Sequence, residues 1–170
     1  MKTRIILLIA IFVMTTGLSQ QKATERKMQE NLPIASGDLW QKLAKAKIDF
    51  DDKKNAFTAT VPQDVKQLSG KTESIAGFML PLESTMQHDH FLLSKRTPTC
   101  PYCMPGGPTE VIDVYMQKPV EYNNGLLFIT GTFKLVDDTK SGLYFRLENA
   151  TIQNNDNPIK PKSIISQPPV

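Results

Sequence analysis

Between Phe57 and Ile152 the chain consists of short runs of β-branched and aromatic residues separated by turn residues, and helical periodicity is absent. Runs of this kind, in which side chains alternate between two environments, are typical of strands. The turn residues include Asn123-Asn124-Gly125, which favours a tight reversal of the chain. The pattern predicts five strands, at residues 74–82, 91–94, 110–116, 126–136 and 143–152.

The longest predicted strand has Gly131 in its middle, where a side chain would normally pack. A glycine inside a strand indicates a bulge or a sharp bend. Five short strands, one of them kinked, suit a sheet that curls on itself. We therefore expect an all-β domain, a small five-stranded barrel like that of oligonucleotide/oligosaccharide-binding (OB) domains, although a small sandwich would give much the same pattern.

A short helix is predicted before the strands, over residues 38–47. Asp38 can cap it with Gln41 three residues later, and Leu39, Trp40 and Leu43 then share one side. The protein has only one tryptophan. Because tryptophan is highly buried on average, we expect Trp40 to anchor the core.

The first residues have the pattern of a signal peptide, which we place at 1–19. Lys2 and Arg4 precede the apolar run 5–13, and Gly17-Leu18-Ser19 supplies small residues for cleavage. The run is shorter than the roughly 20 residues that span a bilayer, so no transmembrane span is expected in the mature protein. No cysteine lies near the cleavage site to carry a lipid. These features predict a periplasmic or secreted protein.

The mature chain divides by composition into a linker at 20–35, an OB-like β domain at 36–153 and a disordered tail at 154–170, which is rich in Asn, Asp, Lys and Pro. The formal net charge of +3 falls to +1 when the two basic residues of the signal peptide are removed. No cluster of Lys and Arg is interleaved with aromatic residues. A nucleic-acid partner is therefore not expected.

The two cysteines and the two histidines of the protein all lie in one short stretch, at Cys100, Cys103, His88 and His90. If the chain is extended at 88–91, both histidines point to the same face, because strand side chains alternate. Two imidazoles and two thiolates form a tetrahedral set suited to Zn²⁺. A thioether from Met86 or Met104 would instead favour copper as Cu(I).

Other interpretations of Cys100 and Cys103 remain open. In a secreted protein the pair can form a disulfide that staples a loop rich in proline and glycine. The sequence C-P-Y-C also resembles the redox-active motif of glutaredoxins, where the first cysteine begins a helix. Pro105 and the following Gly-Gly-Pro would break such a helix in its first turn. Structural disulfide, metal site and catalytic dithiol thus stay as alternatives.

Three segments resemble a bacterial family of secreted proteins and lipoproteins known only as a domain of unknown function. They are the run Ala-Gly-Phe-Met-Leu-Pro-Leu-Glu at 76–83, Phe-Leu-Leu at 91–93, and Cys100 with its proline-rich loop. Trp40 and Leu43 match the W-x-x-L helix with which members of the family usually open, but the lipid-attachment cysteine is missing. The resemblance implies an extracytoplasmic all-β domain, Cys100 as its key position, and a metal-transport or envelope protein as partner.

No G-x-S-x-G, H-E-x-x-H or phosphate-binding glycine loop occurs in the chain, so we expect no enzymatic activity. The sequence predicts an extracytoplasmic accessory or binding protein that holds a zinc or copper ion at Cys100, Cys103, His88 and His90. One alternative is a disulfide-stapled interaction module with its docking surface around Phe78 and the Pro-Gly loop. A second alternative is a thiol-disulfide oxidoreductase.

Overall fold

The computed structural model describes residues 32–99 and 105–153, and the backbone of 165–166. Residues 33–166 belong to one compact unit. The predicted signal peptide, Cys100, Cys103 and most of the predicted tail therefore fall outside the described residues. Within the described part, no helix has the length and apolar character needed to cross a bilayer.

The described chain is mostly β-structure, which confirms the all-β prediction. Its elements, in chain order, are β1 (Ile34–Ala35), α1 (Asp38–Leu43), β2 (Lys47–Asp51), β3 (Ala56–Thr60), α2 (Gln63–Lys66), β4 (Thr72–Pro81), β5 (Gln87–Ser94), a 3₁₀ turn (Pro108–Glu110), β6 (Val111–Glu121), β7 (Leu126–Asp138), β8 (Leu143–Ile152) and β9 (Ile165–Ser166).

Five strands form a closed barrel in the order β4-β5-β6-β8-β7. Neighbouring strands are antiparallel except β6 and β8, which run parallel. Strand β4 pairs with β7 as well as with β5, which closes the barrel. Its first part, 72–78, pairs with β7, and its last part, 78–81, pairs with β5.

Two barrel strands have a glycine at an unusual position, Gly77 in β4 and Gly131 in β7. A Cβ added at Gly77 would lie 2.6 Å from Leu93 Cγ and 2.8 Å from the carbonyl oxygen of Ser94, so only glycine lets β4 approach β5 this closely. In β7 the register with β8 shifts between Thr130 and Thr132, on either side of Gly131. The irregularity predicted at Gly131 is confirmed.

The main core fills the barrel and extends to α1, whose Leu39, Trp40 and Leu43 are buried. Trp40 is 1% exposed and its Nε1 donates a hydrogen bond to the carbonyl oxygen of Ala76 at 2.7 Å, which confirms its predicted role as a core anchor. Phe78 is also buried in this core. The Phe78 side chain therefore cannot belong to the docking surface that we expected around it and the Pro-Gly loop, because it is not accessible.

Several local predictions differ from the structure. Gly37 precedes α1 and no side chain caps the helix, so the capping role predicted for Asp38 is wrong. The hairpin of β2 and β3 was not predicted, because none of its strand residues is fully buried and they give no clean alternation. Ile34–Ala35, which we expected in the linker, forms β1 beside β9.

Candidate functional site

Polar side chains from three neighbouring strands meet on the outer face of the barrel. Phe91 and Leu93 of β5, Ile112 and Val114 of β6, and Phe145 and Leu147 of β8 belong to the main core. Because side chains alternate along a strand, the residues between these positions point away from the core. Four of them form what we call the His90 cluster: His90 on β5, Asp113 and Tyr115 on β6, and Arg146 on β8.

The carboxylate of Asp113 is the centre of the His90 cluster. Its Oδ1 accepts a hydrogen bond from His90 Nε2 at 2.6 Å. Its Oδ2 accepts a hydrogen bond from Arg146 Nε at 2.9 Å, and Arg146 Nη2 forms an ion pair with the same oxygen at 2.9 Å. The Asp113 side chain is only 5% exposed, so both oxygens depend on these two partners in place of water.

The Tyr115 ring holds both of these partners in place. The His90 ring stacks on it with centroids 4.1 Å apart and an interplanar angle of 13°. The guanidinium carbon of Arg146 lies 4.8 Å from the centroid of the same ring, within the range of a cation–π contact. The His90 side chain therefore has a defined plane as well as a defined hydrogen-bond partner.

These contacts determine which nitrogen of His90 carries the proton. A carboxylate only accepts hydrogen bonds, so Nε2 must be the protonated nitrogen of the neutral ring. Nδ1 then carries the lone pair, and it has no hydrogen-bond partner among the described residues. With 38% of its side chain exposed, His90 can offer this nitrogen to a ligand. Metal-binding histidines are commonly oriented in this way by a carboxylate.

His88 lies in a different environment from His90. It is 4% exposed, its ring packs edge-on against Tyr122 with centroids 6.4 Å apart, and its Nδ1 lies 3.5 Å from the hydroxyl oxygen of Thr85. The register of β5 with β6 shifts between the two histidines, so that His88 pairs with Val120 and His90 with Tyr115. The strand is thus not regular at the positions where we expected both side chains to share one face.

Cys100 and Cys103 lie in the connection between β5 and β6, outside the described residues. This connection leaves the barrel where Ser94 pairs with Val111. His90 lies four residues before Ser94, which corresponds to roughly 13 Å along a strand. Among the described residues, no group of three or more His, Cys, Asp or Glu side chains could hold a metal ion. The described residues do not include Cys100 and Cys103.

At the base of this connection, Glu110 pairs with two cations. It accepts hydrogen bonds from Arg96 Nε at 2.7 Å and Arg96 Nη2 at 3.1 Å, and Lys95 Nζ lies 3.9 Å from it. Thr97 donates a hydrogen bond to the carbonyl oxygen of Pro33. The two flanks of the cysteine segment are thereby joined to each other and to Pro33.

Sequence reasoning did not identify Asp113, Tyr115 or Arg146 as site residues. One signal was present, since Asp113 interrupts the apolar run Val111-Ile112-Asp113-Val114. A carboxylate at such a position is rarely fully buried unless it has a partner. Which cation would pair with it could not be known, because Arg146 is 33 residues away in the chain.

Comparison with known proteins gives one similar solved structure, the crystal structure of a DUF3299 family protein from Pseudomonas aeruginosa PAO1. The two chains are 24% identical, and the similarity covers 59% of this chain and 70% of the other with a TM-score of 0.44. DUF3299 is a domain of unknown function. No family model and no curated protein matches the chain.

Proposed function

We propose that this protein is an extracytoplasmic, non-enzymatic accessory protein that binds a zinc or copper ion. Cys100 and Cys103 supply thiolates and His90 supplies an imidazole nitrogen, with His88 as the fourth candidate ligand. The observation that carries the proposal is the hydrogen bond of 2.6 Å between His90 Nε2 and Asp113, which leaves Nδ1 available. A metal-transport or envelope protein is the proposed partner.

We also propose that the barrel is OB-like. The strand order β4-β5-β6-β8-β7, with its parallel pair β6 and β8, supports this assignment. OB domains bind their ligands on the face formed by their second and third strands. By analogy of fold, that face corresponds here to β5 and β6, which carry His90, Asp113 and Tyr115.

The chemistry of the proposed ligands sets conditions for binding. Zinc bonds to sulfur and nitrogen are about 2.3 and 2.0 Å long, so the cysteine segment must fold back along the barrel toward His90. Thiolates bind metal only when they are deprotonated and reduced. Affinity should therefore fall when the solution is acidified and when Cys100 and Cys103 are oxidised.

The first prediction concerns metal content. The protein purified under reducing conditions should contain about one equivalent of zinc or copper by elemental analysis. The double variant Cys100→Ser, Cys103→Ser should contain none, because a hydroxyl is a poor ligand for these ions. His90→Ala should weaken binding by at least about tenfold, and the same measurement on His88→Ala decides whether His88 is a ligand.

A matched control is available on another part of the chain. Gln67 is exposed and lies after α2, away from the His90 cluster, so Gln67→Ala should bind metal like the unmodified protein. The proposal is wrong if the reduced protein binds neither zinc nor copper, or if the double cysteine variant binds as tightly as the unmodified chain.

A second candidate function, a disulfide-stapled interaction module, is favoured by a group of exposed apolar side chains. Leu82, Met86 and Tyr122 are 44%, 84% and 47% exposed. Gln87 pairs with Glu121, so Met86 and Tyr122 flank the same end of the β5–β6 ladder. This candidate would be favoured by finding the protein metal-free, with Cys100 and Cys103 oxidised, and bound to an envelope protein through this surface.

A further inference from the structure

We infer that Asp113 and Arg146 act together as positioning residues that determine which nitrogen of His90 is free to bind a ligand. The inference concerns the same site as the proposed function and rests on it for the identity of the ligand, a zinc or copper ion. Its structural part, the control of the His90 tautomer, stands on the described contacts alone.

The first step is the fixed orientation of the Asp113 carboxylate. Arg146 donates a hydrogen bond from Nε to Oδ2 at 2.9 Å, and its Nη2 lies 2.9 Å from the same oxygen in an ion pair. A guanidinium has donors only, so whatever atom faces Arg146 must be an acceptor. Oδ1 is left for His90, at 2.6 Å from Nε2.

The second step is the effect on the imidazole. Because Oδ1 is an acceptor, Nε2 of the neutral ring holds the proton and Nδ1 holds the lone pair. Stacking on Tyr115 at 4.1 Å keeps the ring from turning to exchange the two nitrogens. Arg146 therefore acts on His90 through Asp113 without touching the ligand.

Replacing Asp113 by asparagine gives a sharp test, because the variant differs from the unmodified protein only in that an NH₂ group replaces one carboxylate oxygen. Arg146 still requires an acceptor, so the Asn oxygen must face Arg146 and the NH₂ group must face His90. Nε2 of His90 must then accept a hydrogen bond, and the ring proton moves to Nδ1, the nitrogen assigned to the metal. Asp113→Asn should thus invert the tautomer in a protein of almost unchanged shape.

A second substitution should reverse this effect. In the double variant Asp113→Asn, Arg146→Met the requirement for an acceptor at Arg146 is gone. The Asn side chain can then turn its oxygen toward His90, which restores the proton to Nε2. Lys134→Met is the matched control, because Lys134 lies beside Arg146 in the register of β7 with β8 but pairs with Glu148.

The readout is the ¹⁵N chemical shifts of the imidazole nitrogens in the metal-free protein, at a pH where the rings are neutral. The unmodified chain and Lys134→Met should show a protonated Nε2 in His90, Asp113→Asn a protonated Nδ1, and the double variant a protonated Nε2 again. His88 serves as the internal reference, because its contacts among the described residues are with Thr85 and Tyr122 and not with Asp113 or Arg146.

Titration with Zn²⁺ alone, under reducing conditions, completes the test. Asp113→Asn should lower affinity by about 10- to 100-fold, and the double variant should recover part of that loss. The inference is overturned if Asp113→Asn keeps the proton on Nε2, or if the double variant has the same tautomer as Asp113→Asn. If the tautomers follow the expected pattern but the unmodified chain binds no metal, the proposed function fails and the positioning role of Asp113 is supported.

Discussion

Among single residues, the buried phenol of Tyr144 has a pKa that depends on its burial. Tyr144 is 5% exposed and its hydroxyl donates a hydrogen bond to the carbonyl oxygen of Phe57 at 2.9 Å, which attaches β8 to the β2–β3 hairpin. Burial raises the pKa of this phenol, and the nearby carboxylates of Asp137 and Asp138 raise it further. Ionisation of Tyr144 is thus disfavoured in the folded protein.

The raised pKa of Tyr144 predicts a dependence of stability on alkaline pH. A phenol in an unfolded chain titrates near about pH 10. Below that pH the contribution of Tyr144 is fully present, and it is lost as pH rises through the higher folded pKa. The free energy of unfolding of the protein, measured with urea, should therefore fall above about pH 10, and less steeply in Tyr144→Phe.

At neutral pH, Tyr144→Phe should lower the free energy of unfolding by about 1 kcal/mol, because the carbonyl of Phe57 loses its donor. Tyr122→Phe is the control, since Tyr122 is 47% exposed and should show neither effect. Equal alkaline slopes for Tyr144→Phe and the unmodified protein would contradict the assignment.

At the scale of elements, β4 is the strand on which barrel closure depends. It changes partner at Phe78, which pairs with Leu126 of β7 and with Ser94 of β5. Gly77 lies next to this change, and its Cα faces Leu93 and Ser94 with no space for a side chain. The close approach of β4 to β5 therefore requires glycine at this position.

We predict that Gly77→Ala destabilises the protein by about 2 kcal/mol, because the new methyl group must displace Leu93 and the backbone of Ser94. Gly107→Ala is a matched control. Gly107 has φ of −78°, and a Cβ there would meet nothing within 4 Å. Urea unfolding of the two variants measures the difference, and similar stabilities for both would show that β4 can adjust.

At the scale of the whole molecule, the parallel pairing of β6 with β8 is the other requirement for a closed barrel. Val114 of β6 pairs with Leu147 of β8, and both side chains are fully buried in the main core. On the outer face of the same pair, Asp113 lies opposite Arg146. The barrel core and the Asp113–Arg146 contact thus depend on the same strand pairing.

Leu147→Ala should therefore cost about 3 kcal/mol of unfolding free energy, the usual range for a buried leucine. Leu82→Ala, at a side chain that is 44% exposed, should change stability by no more than about 0.5 kcal/mol. Unfolding of the two variants at the same urea concentration would contradict the role assigned to Leu147 in the core.

Much of this architecture was predictable because strand signals are local. The five predicted strands correspond to β4 through β8, and the irregularity expected at Gly131 is present. The hairpin of β2 and β3 was missed because none of its strand residues is fully buried, and its Phe50 is 48% exposed. The ligand role of Cys100, Cys103, His88 and His90 stays a prediction.

The local pattern of the chain predicted that the five barrel strands exist and roughly where they lie, because alternation and turn residues act between neighbours in the chain. It did not predict all of their ends, since β5 begins at Gln87 and not at 91, and β6 ends at Glu121 and not at 116. Tertiary structure alone decided which strands pair. It brought His90 to Asp113 across 23 residues and Arg146 to Asp113 across 33. No local pattern encodes these distances, since they follow from closing the barrel around its core. The protonated nitrogen of His90 is therefore a property of the fold.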